Sequence, residues 1–599
     1  MLYGESMLKK VRTRKLVTIA LGSLAALASS VAGCGWILGL DEYSLDACFD
    51  GIVSAGEEAV DCGGLCAPCG DQCSDKVRSG SETDVDCGGP CAPCADGLGC
   101  IVGPDCESLV CSAGTCLPPA CDDKVTNGEE TDRDCGGGCQ AVCDVGEGCA
   151  EARDCTTLVC GEEQLCVDNH VWSFAFSTKA SLLEHLAVDP LGNPVLAGTY
   201  DGTLNITGEQ LMASGLGDVF VAKLDSNGDG LWSRSFGDMN AQLVTSVATD
   251  AFGNIVVGGA FEGTLNFGDG DLICSGERDL FLAKFDASGQ LMWSKKFGDA
   301  FDQSFLNIAT FMDGSIALIG YFEGSVDLGG KAHTSAGAND TFVAKLDADG
   351  NYLWSAQFGD PDKDQRGSGV VIDKTGTLIV SGRFEGFMDV GGTTLFSKGS
   401  NDLFVAKLSG NDGTVIWAKA WGSTDSTGNE SVSRVAPLDT GELLVTGVFD
   451  TTFTVSGKKL SSMGGNDIFL MKLSDVGDPL WIKGFGSDLS DLPFGVALSP
   501  AQNLVIGGVY GKSIDFGGGP LVSLGNEDLF FAVLDQDGNH VWSRRYGGEP
   551  DTGIPTSIAF GAPGVLFATG IFNGTINLGG GPLKSSGDGA IFLAKYLLP

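Results

Sequence analysis

The apolar positions of this chain come in repeating blocks. Residues 279–298, DLFLAKFDASGQLMWSKKFG, show the unit. Phe-Leu-Ala-Lys-Phe alternates more and less apolar positions at period two, Asp-Ala-Ser-Gly interrupts it, and Leu-Met-Trp-Ser-Lys-Lys-Phe-Gly runs on. Period two is the spacing of a strand, and so apolar an alternation suits a sheet covered on both faces. The Asp-x-x-Gly break suits a tight chain reversal, so the block predicts a hairpin. Upstream, SVATDAFGNIVVGGAFEG at 246–263 reads as strand, glycine turn, strand. Each unit therefore predicts four strands in hairpin order, with a longer segment such as TLNFGDGDLICSG joining the second to the third. No helical pattern with caps occurs in any unit.

The block recurs to the end of the chain. It opens at Asp218, Asp279, Asp340, Asp402, Asp467, Asp528 and Asp588, and its tryptophans are Trp172, Trp232, Trp293, Trp354, Trp417, Trp481 and Trp542. By subtraction the tryptophans are 60, 61, 61, 63, 64 and 61 residues apart. A fixed period of this size is the mark of a repeat architecture. The two series are offset. A lone return strand, His170-Val-Trp-Ser-Phe-Ala-Phe176, precedes the first unit, and the last third strand, Ile591-Phe-Leu-Ala-Lys-Tyr596, has no return strand after it. An open solenoid would carry atypical caps instead. A closed ring needs this complementation, because closure removes a bare edge. Residues 170–599 therefore predict an all-β, seven-bladed β-propeller whose last blade is closed by the N-terminal strand. The opening aspartates predict side-chain caps on the preceding turn, and the tryptophans predict packing between blades. The pattern D-x-F-x-A-K-L-D-x-x-G-x-x-x-W-S-x-x-F-G, followed by GNIVVGG, resembles the bacterial SBBP repeat. That resemblance implies the same seven-bladed propeller over about 430 residues.

Composition adds a surface and a compartment. Glycine, at 91 residues, falls at turn positions, which fits an all-β chain rather than disorder. The formal net charge of −42 argues against nucleic acid as a partner, since phosphate recognition needs an excess of Lys and Arg. It suits cations or basic partners.

Residues 1–33 read as a targeting segment: Lys9, Lys10, Arg12, Arg14 and Lys15 precede an apolar run from Leu16 to Gly33. Its end, Val31-Ala32-Gly33-Cys34, resembles the bacterial lipobox. This implies a lipoprotein signal peptide over 1–33, lipid attachment at Cys34, and a short tether over 34–47. Gly35 after the cysteine implies sorting to the outer membrane or cell surface where the cell has one. Plain secretion, with Cys34 an ordinary thiol, is the simpler alternative.

Residues 48–166 hold 20 of the 22 cysteines, leaving Cys34 and Cys274 outside. In an exported chain an even number predicts disulfides, here ten, with a connectivity that spacing alone leaves open. One submodule is Cys48, Cys62, Cys66, Cys69, recurring at Cys73, Cys87, Cys91, Cys94 and at Cys121, Cys135, Cys139, Cys143. The other is Cys100, Cys106, Cys111, Cys116, recurring at Cys149, Cys155, Cys160, Cys166. The first resembles DCGG-x-C-x-x-C modules found near the anchors of bacterial surface proteins. With few large apolar residues, such units form a stalk of little secondary structure held by cross-links. Zinc is the rival reading of the C-x-x-C spacings, disfavoured by the oxidising compartment. The segment carries 24 Asp/Glu against 5 Lys/Arg, a balance of −19. Asp84, Asp86, Asp132 and Asp134 are the candidate ligands, and calcium is the metal their oxygens suit. The plainer reading is a solvated acidic surface, because no full calcium-loop spacing is present.

In the propeller, Asp201, Glu262, Glu323, Glu385 and Asp450 follow the second strand of five units, with Gly511 and Asn573 at the same place in the other two. They form a candidate acidic binding ring; turn chemistry is the competing account. IGGVYGKS at 506–513 lacks the first glycine of a phosphate loop, and Asp225-x-Asn227-x-Asp229-Gly lacks the closing glutamate of an EF-hand. The four histidines, His170, His185, His333 and His540, lie in separate units. No catalytic constellation emerges. The expectation is a non-enzymatic, lipid-anchored surface protein with no cofactor. It anchors in the membrane by lipid and binds a protein or glycan partner through propeller loops. The alternatives are a propeller enzyme with a quinone or metal cofactor in its central channel, and a periplasm-facing assembly scaffold.

Overall fold

The computed structural model describes residues 72–78 and 81–598, apart from 145–146, 152–153, 156–159, 161–163, 165, 167–168, 179, 424–426, 548–552, 562–563 and 586–588. The signal segment, Cys34, the first cysteine submodule and Asp588 lie outside the described residues. Among those described, helix is confined to two 3-10 turns, Gln72–Ser74 and Gly103–Asp105. No described helix is long and apolar enough to cross a membrane.

The repeats form seven four-stranded antiparallel sheets. Blade 2 shows the plan. Gln242–Thr249 pairs with Ile255–Phe261, which pairs with Asp279–Phe285, which pairs with Leu291–Phe297. The third strand is buried at every position, which explains its nearly continuous apolar sequence. The segment joining the second and third strands is itself a small hairpin, Thr264–Asn266 with Asp271–Ile273. The apolar pattern alone predicts only a longer connection here, because each arm is three residues long. The first strands of successive blades touch one another around the axis. The circuit closes between Gly553–Phe560 of blade 7 and Ala180–Val188 of blade 1.

Closure occurs as the offset repeats require. His170–Thr178 is the outermost strand of blade 7, with Trp172 opposite Lys595, Phe174 opposite Leu593 and Phe176 opposite Ile591. Burial along it is uneven. Phe176 is 9% exposed, but Phe174 is 37% exposed, so the three aromatic rings are not all buried as alternation alone implies. The reason is that an outermost strand has no neighbour on its far side. Phe174 instead covers Gly228 of blade 1, where an added Cβ would collide with its ring.

The tryptophans pack between blades, as expected. The indole N–H of Trp293 donates to the carbonyl of Ala348 in the next blade at 3.2 Å, and Trp232 does the same to Ala287 at 3.3 Å. Gly289, at φ +80°, lies against the Trp232 ring; the turn needs this φ and the ring leaves no space for a side chain. A buried lysine adds a second latch. Lys284 Nζ is 3.0 Å from Asp250 and donates to Ala348 at 3.1 Å. Across the closing seam, Lys595 donates to Ser226 at 2.6 Å. The six described opening aspartates cap the preceding turn: Asp279 accepts from the Ser275 N–H at 2.9 Å and Asp467 from that of Met463 at 2.8 Å, and Asp218, Asp340, Asp402 and Asp528 do likewise.

The chain separates into two compact units between Pro118 and Pro119, so the second cysteine-rich pair of submodules belongs to the propeller's unit. Each described submodule is crossed, first cysteine to third and second to fourth. The bridges are Cys73–Cys91 with Cys87–Cys94, Cys100–Cys111 with Cys106–Cys116, Cys121–Cys139 with Cys135–Cys143, and Cys149–Cys160 with Cys155–Cys166. Cys274 is a free thiol. The disulfide reading holds for every described cysteine of the segment. The half-cystines themselves make the buried centres of these submodules, in place of an aliphatic core.

Candidate functional site at the channel mouth

The acidic ring lies where the second strands end and the third begin, one strand outward from the axis. Its backbone does structural work. Gln303 Nε2 donates to the Glu323 carbonyl at 3.1 Å, and Gln242 and Gln365 do the same to Glu262 and Glu385. Glu323 is exposed, and Asp201, Glu262, Glu385 and Asp450 are half-buried. Two side chains are engaged: Glu385 pairs with Lys363 at 2.8 Å, and Asp450 accepts from Asn429 at 2.9 and 3.0 Å. Turn chemistry thus accounts for the backbone of this position but not for the charge of its side chains.

The four aspartates of the cysteine-rich segment are used differently. Asp84 accepts from the N–H groups of Val85 and Gly99, and Asp132 from those of Arg133 and Gly148. These bonds hold both carboxyls below the usual carboxylate range. Asp86 accepts from Lys76 and Asp134 from Lys124. Among the described residues, the close groups of metal-ligand type consist of half-cystine sulfurs, alone or with Glu82, Glu130 or Glu147, not of these aspartates.

The channel is organised in layers set by one repeated irregularity. Each first strand carries a bulge, for example between Val244 and Ser246 and between Val432 and Arg434. A bulge turns an extra side chain out of the ladder. The extra residues Thr245, Ser368, Ser433, Phe494 and Thr556 all line the channel. Towards the mouth lies an apolar layer with Leu243, Leu492 and Ile554, backed by Tyr321, Val448 and Ile571 from second strands. One residue past the bulge, His185 in blade 1 and Arg434 in blade 5 reach the same space, whose volume is about 670 Å³. Enclosure, then the nearby Arg434 charge, push His185 down to about 4, so its imidazole is neutral at physiological pH; the Val244 carbonyl opposes this weakly. Enclosure also lowers Arg434 from its ordinary value. Sequence reading noted His185 only as one of four scattered histidines and missed Arg434. Aligning the first strands on their bulge would have placed both in one ring. The other histidines stay apart: His333 meets Ser355 at 2.6 Å, His540 meets Ser543 at 3.0 Å, and His170 stacks edge-on to Tyr596.

A second buried set lies at the junction of blades 5 and 6. Burial raises Asp467 to about 6. Burial raises Asp491 to about 6 as well, helped by the charge of Asp467. Gln242, Gln303 and Gln365 hold the place of Asp491 in blades 2 to 4, so this carboxyl departs from the repeat. The two decoy motifs resolve as turns and strand. IGGVYGKS runs within the strand Leu504–Asp515, and Asp225 accepts from the N–H groups of Asn227 and Asp229 inside a hairpin turn.

Fold and site together define a β-propeller scaffold-type protein with a disulfide-rich N-terminal region. No protein-family profile matches the chain. It is similar to the regulatory protein FlaEY of Caulobacter vibrioides, 26% identical over 403 residues, which cover 63% of this chain and 41% of that protein. It is also similar to an uncharacterised WD repeat-containing protein of Acanthamoeba polyphaga mimivirus, 22% identical over 447 residues, 56% of this chain and 32% of the relative. The chain thus spans less than half the length of these relatives. Among solved structures it is similar to the quinohemoprotein alcohol dehydrogenase of Comamonas testosteroni, at 12% identity and a TM-score of 0.38, covering 72% of this chain and 77% of that one. It is likewise similar to BamB of Moraxella catarrhalis, at 12% identity and a TM-score of 0.32, covering 71% and 99%. Likenesses of this size carry no argument about chemistry.

Proposed function

We propose that this chain is an exported, lipid-anchored, non-enzymatic binding protein. A disulfide-rich segment lifts the propeller from the membrane, and the propeller engages a basic protein or a cation-bearing glycan through the acidic face around its channel. The observation that carries the export reading is the crossed bridging of every described cysteine from Cys73 to Cys166, since such bonds persist in oxidising compartments. The binding reading rests on the carboxylates at Asp201, Glu262, Glu323, Glu385 and Asp450, which the turn itself does not require to be charged. The Val-Ala-Gly-Cys34 motif supports the anchor, and two acyl chains or more would give stable attachment.

The test is fractionation of cells making the full chain and its Cys34→Ala variant. The intact chain should partition with membranes and take up radiolabelled palmitate, and the variant should be soluble and unlabelled. Equal membrane retention of both would overturn the anchor. Protease added to intact cells should cleave the propeller; protection until the envelope is opened would replace surface display with a periplasm-facing scaffold. A purified chain bearing a quinone absorbance band or stoichiometric bound metal would replace the binding reading with the enzymatic one.

A further inference from the structure

The channel contains a charged group that the fold does not explain. Arg434 stands at the ring position occupied by Ser246, Asn307, Gly369, Gly495 and Ser557 in other blades. Two of those residues tie neighbouring blades together: Ser246 Oγ accepts from the N–H of Ile308 at 3.1 Å, and Asn307 Oδ1 from that of Val370 at 3.4 Å. Arg434 makes no such tie. Its guanidinium donates from Nη1 to the carbonyl of Ser433, its neighbour in sequence, at 2.9 Å. A guanidinium has five N–H donors in a fork suited to a carboxylate or phosphate. Among the described residues no carboxylate pairs with it. The other arginine of the channel lining, Arg278, is paired with Asp302 at 3.1 Å.

Facing the same space, His185 Nε2 is buried without a hydrogen-bond partner. With the ring neutral and its other nitrogen turned to the Val244 carbonyl, Nε2 is left as an acceptor. The hydroxyls of the bulge layer also turn outward: Thr245 donates to Gly258, Thr556 to Thr569, and Ser368 to Ser381 and Val432. Phe494 stands beside them in the bulge layer, and above stand Leu243, Leu492 and Ile554. The result is an apolar entrance over a positive charge that no described carboxylate balances, in a space of about 670 Å³, a volume usual for small-molecule sites. Uncompensated charge in an enclosed, largely apolar space is disfavoured unless something neutralises it.

We propose that the channel binds a small organic carboxylate with an apolar body, its carboxylate held by the Arg434 fork and its body against the Leu243, Leu492, Phe494 and Ile554 layer. A hydroxyl or amine on the ligand donates to His185 Nε2. This site is separate from the acidic face, so it stands or falls independently of the reading given above. The acidic ring slows the entry of anions at low salt, and physiological salt screens that repulsion beyond about 8 Å.

The experiment uses the full chain and 4-fluorobenzoate, followed by fluorine NMR line broadening. Its controls are 4-fluorotoluene, which has the same body without charge, and sodium chloride. The intact chain should bind the benzoate, and 4-fluorotoluene should bind at least tenfold more weakly. Arg434→Ser, which installs the residue of two other blades, should lose at least tenfold in affinity while its Tm stays level or rises, because an unbalanced charge is removed. His185→Phe, which removes the acceptor nitrogen, should weaken 4-fluoro-3-hydroxybenzoate more than it weakens 4-fluorobenzoate, which carries no donor. Unchanged benzoate affinity in Arg434→Ser would overturn the proposal. So would displacement by chloride at the same concentration as by benzoate, which would mark an adventitious anion only. A markedly lower Tm in Arg434→Ser would mark the arginine as a structural group of the ring and would also overturn it.

Discussion

Phe176→Ala tests whether the ring is closed by the N-terminal strand. Phe176 is 9% exposed and opposite Ile591 in the closing register. It packs in one cluster with Phe567, Ile591 and Leu593 of blade 7 and with Leu186, Leu196 and Phe220 of blade 1. It therefore belongs to the seam rather than to a single blade. Removing a buried phenylalanine ring costs its transfer free energy plus that of the cavity, together about 3–5 kcal/mol. Phe174, two residues earlier on the same strand, is 37% exposed, so the same substitution there should cost on the order of 1 kcal/mol, scaled from about 1.5–3 kcal/mol for full burial. Against a folding margin of about 5–15 kcal/mol the first loss is large and the second small. Urea unfolding of the two variants beside the parent chain measures both, and the slope shows whether the exposed surface changed. Phe176→Ala should move the midpoint several times further than Phe174→Ala and should show concentration-dependent association as the last blade frays. Equal midpoints for the two variants, with both monomeric, would refute the seam.

A chain beginning at Ser177 should unfold at lower urea than one beginning at His170 and should sediment as oligomers, because blade 7 then presents the bare edge of Gly589–Leu597. The pair Asp467 and Asp491 sets a pH dependence. Both carboxyls are raised to about 6, above an unfolded value of 3.8, so the native state binds more protons between about pH 4 and 6 and stability falls as pH rises through that window. Asp491→Asn should flatten that fall, and should raise stability at pH 7.5 by about 1–3 kcal/mol; a parent chain whose unfolding midpoint does not change from pH 4.5 to 7.5 would contradict the raised values. Non-reducing peptide mapping should recover Cys73 with Cys91 and Cys87 with Cys94, and leave Cys274 alkylated; a Cys91–Cys94 peptide would refute the crossing.

The architecture is legible in the repeats, because in a repeat protein the local pattern and the global arrangement carry the same information. Period-two strands, an Asp-x-x-Gly turn and a period near 61 residues leave few folds, and the offset between the first tryptophan and the last third strand leaves a closed ring. The roles of Trp293 and Asp279 were legible for the same reason: each recurs, so each must serve something every blade needs. The parity of the cysteines announced disulfides. It could not announce their crossing, since pairing depends on which sulfurs the fold brings within bonding distance. The channel was decided by tertiary structure alone. Its special residues, His185 and Arg434, are the ones that break the repeat, and they come from blades distant in sequence that meet only when the ring closes. Which residue of each first strand turns inward depends on a one-residue bulge, a shift that the alternation of apolar positions does not record. The raised carboxyls of Asp467 and Asp491 have the same origin, because their burial, and the charge of Asp467 beside Asp491, belong to the interface between two blades and not to either sequence.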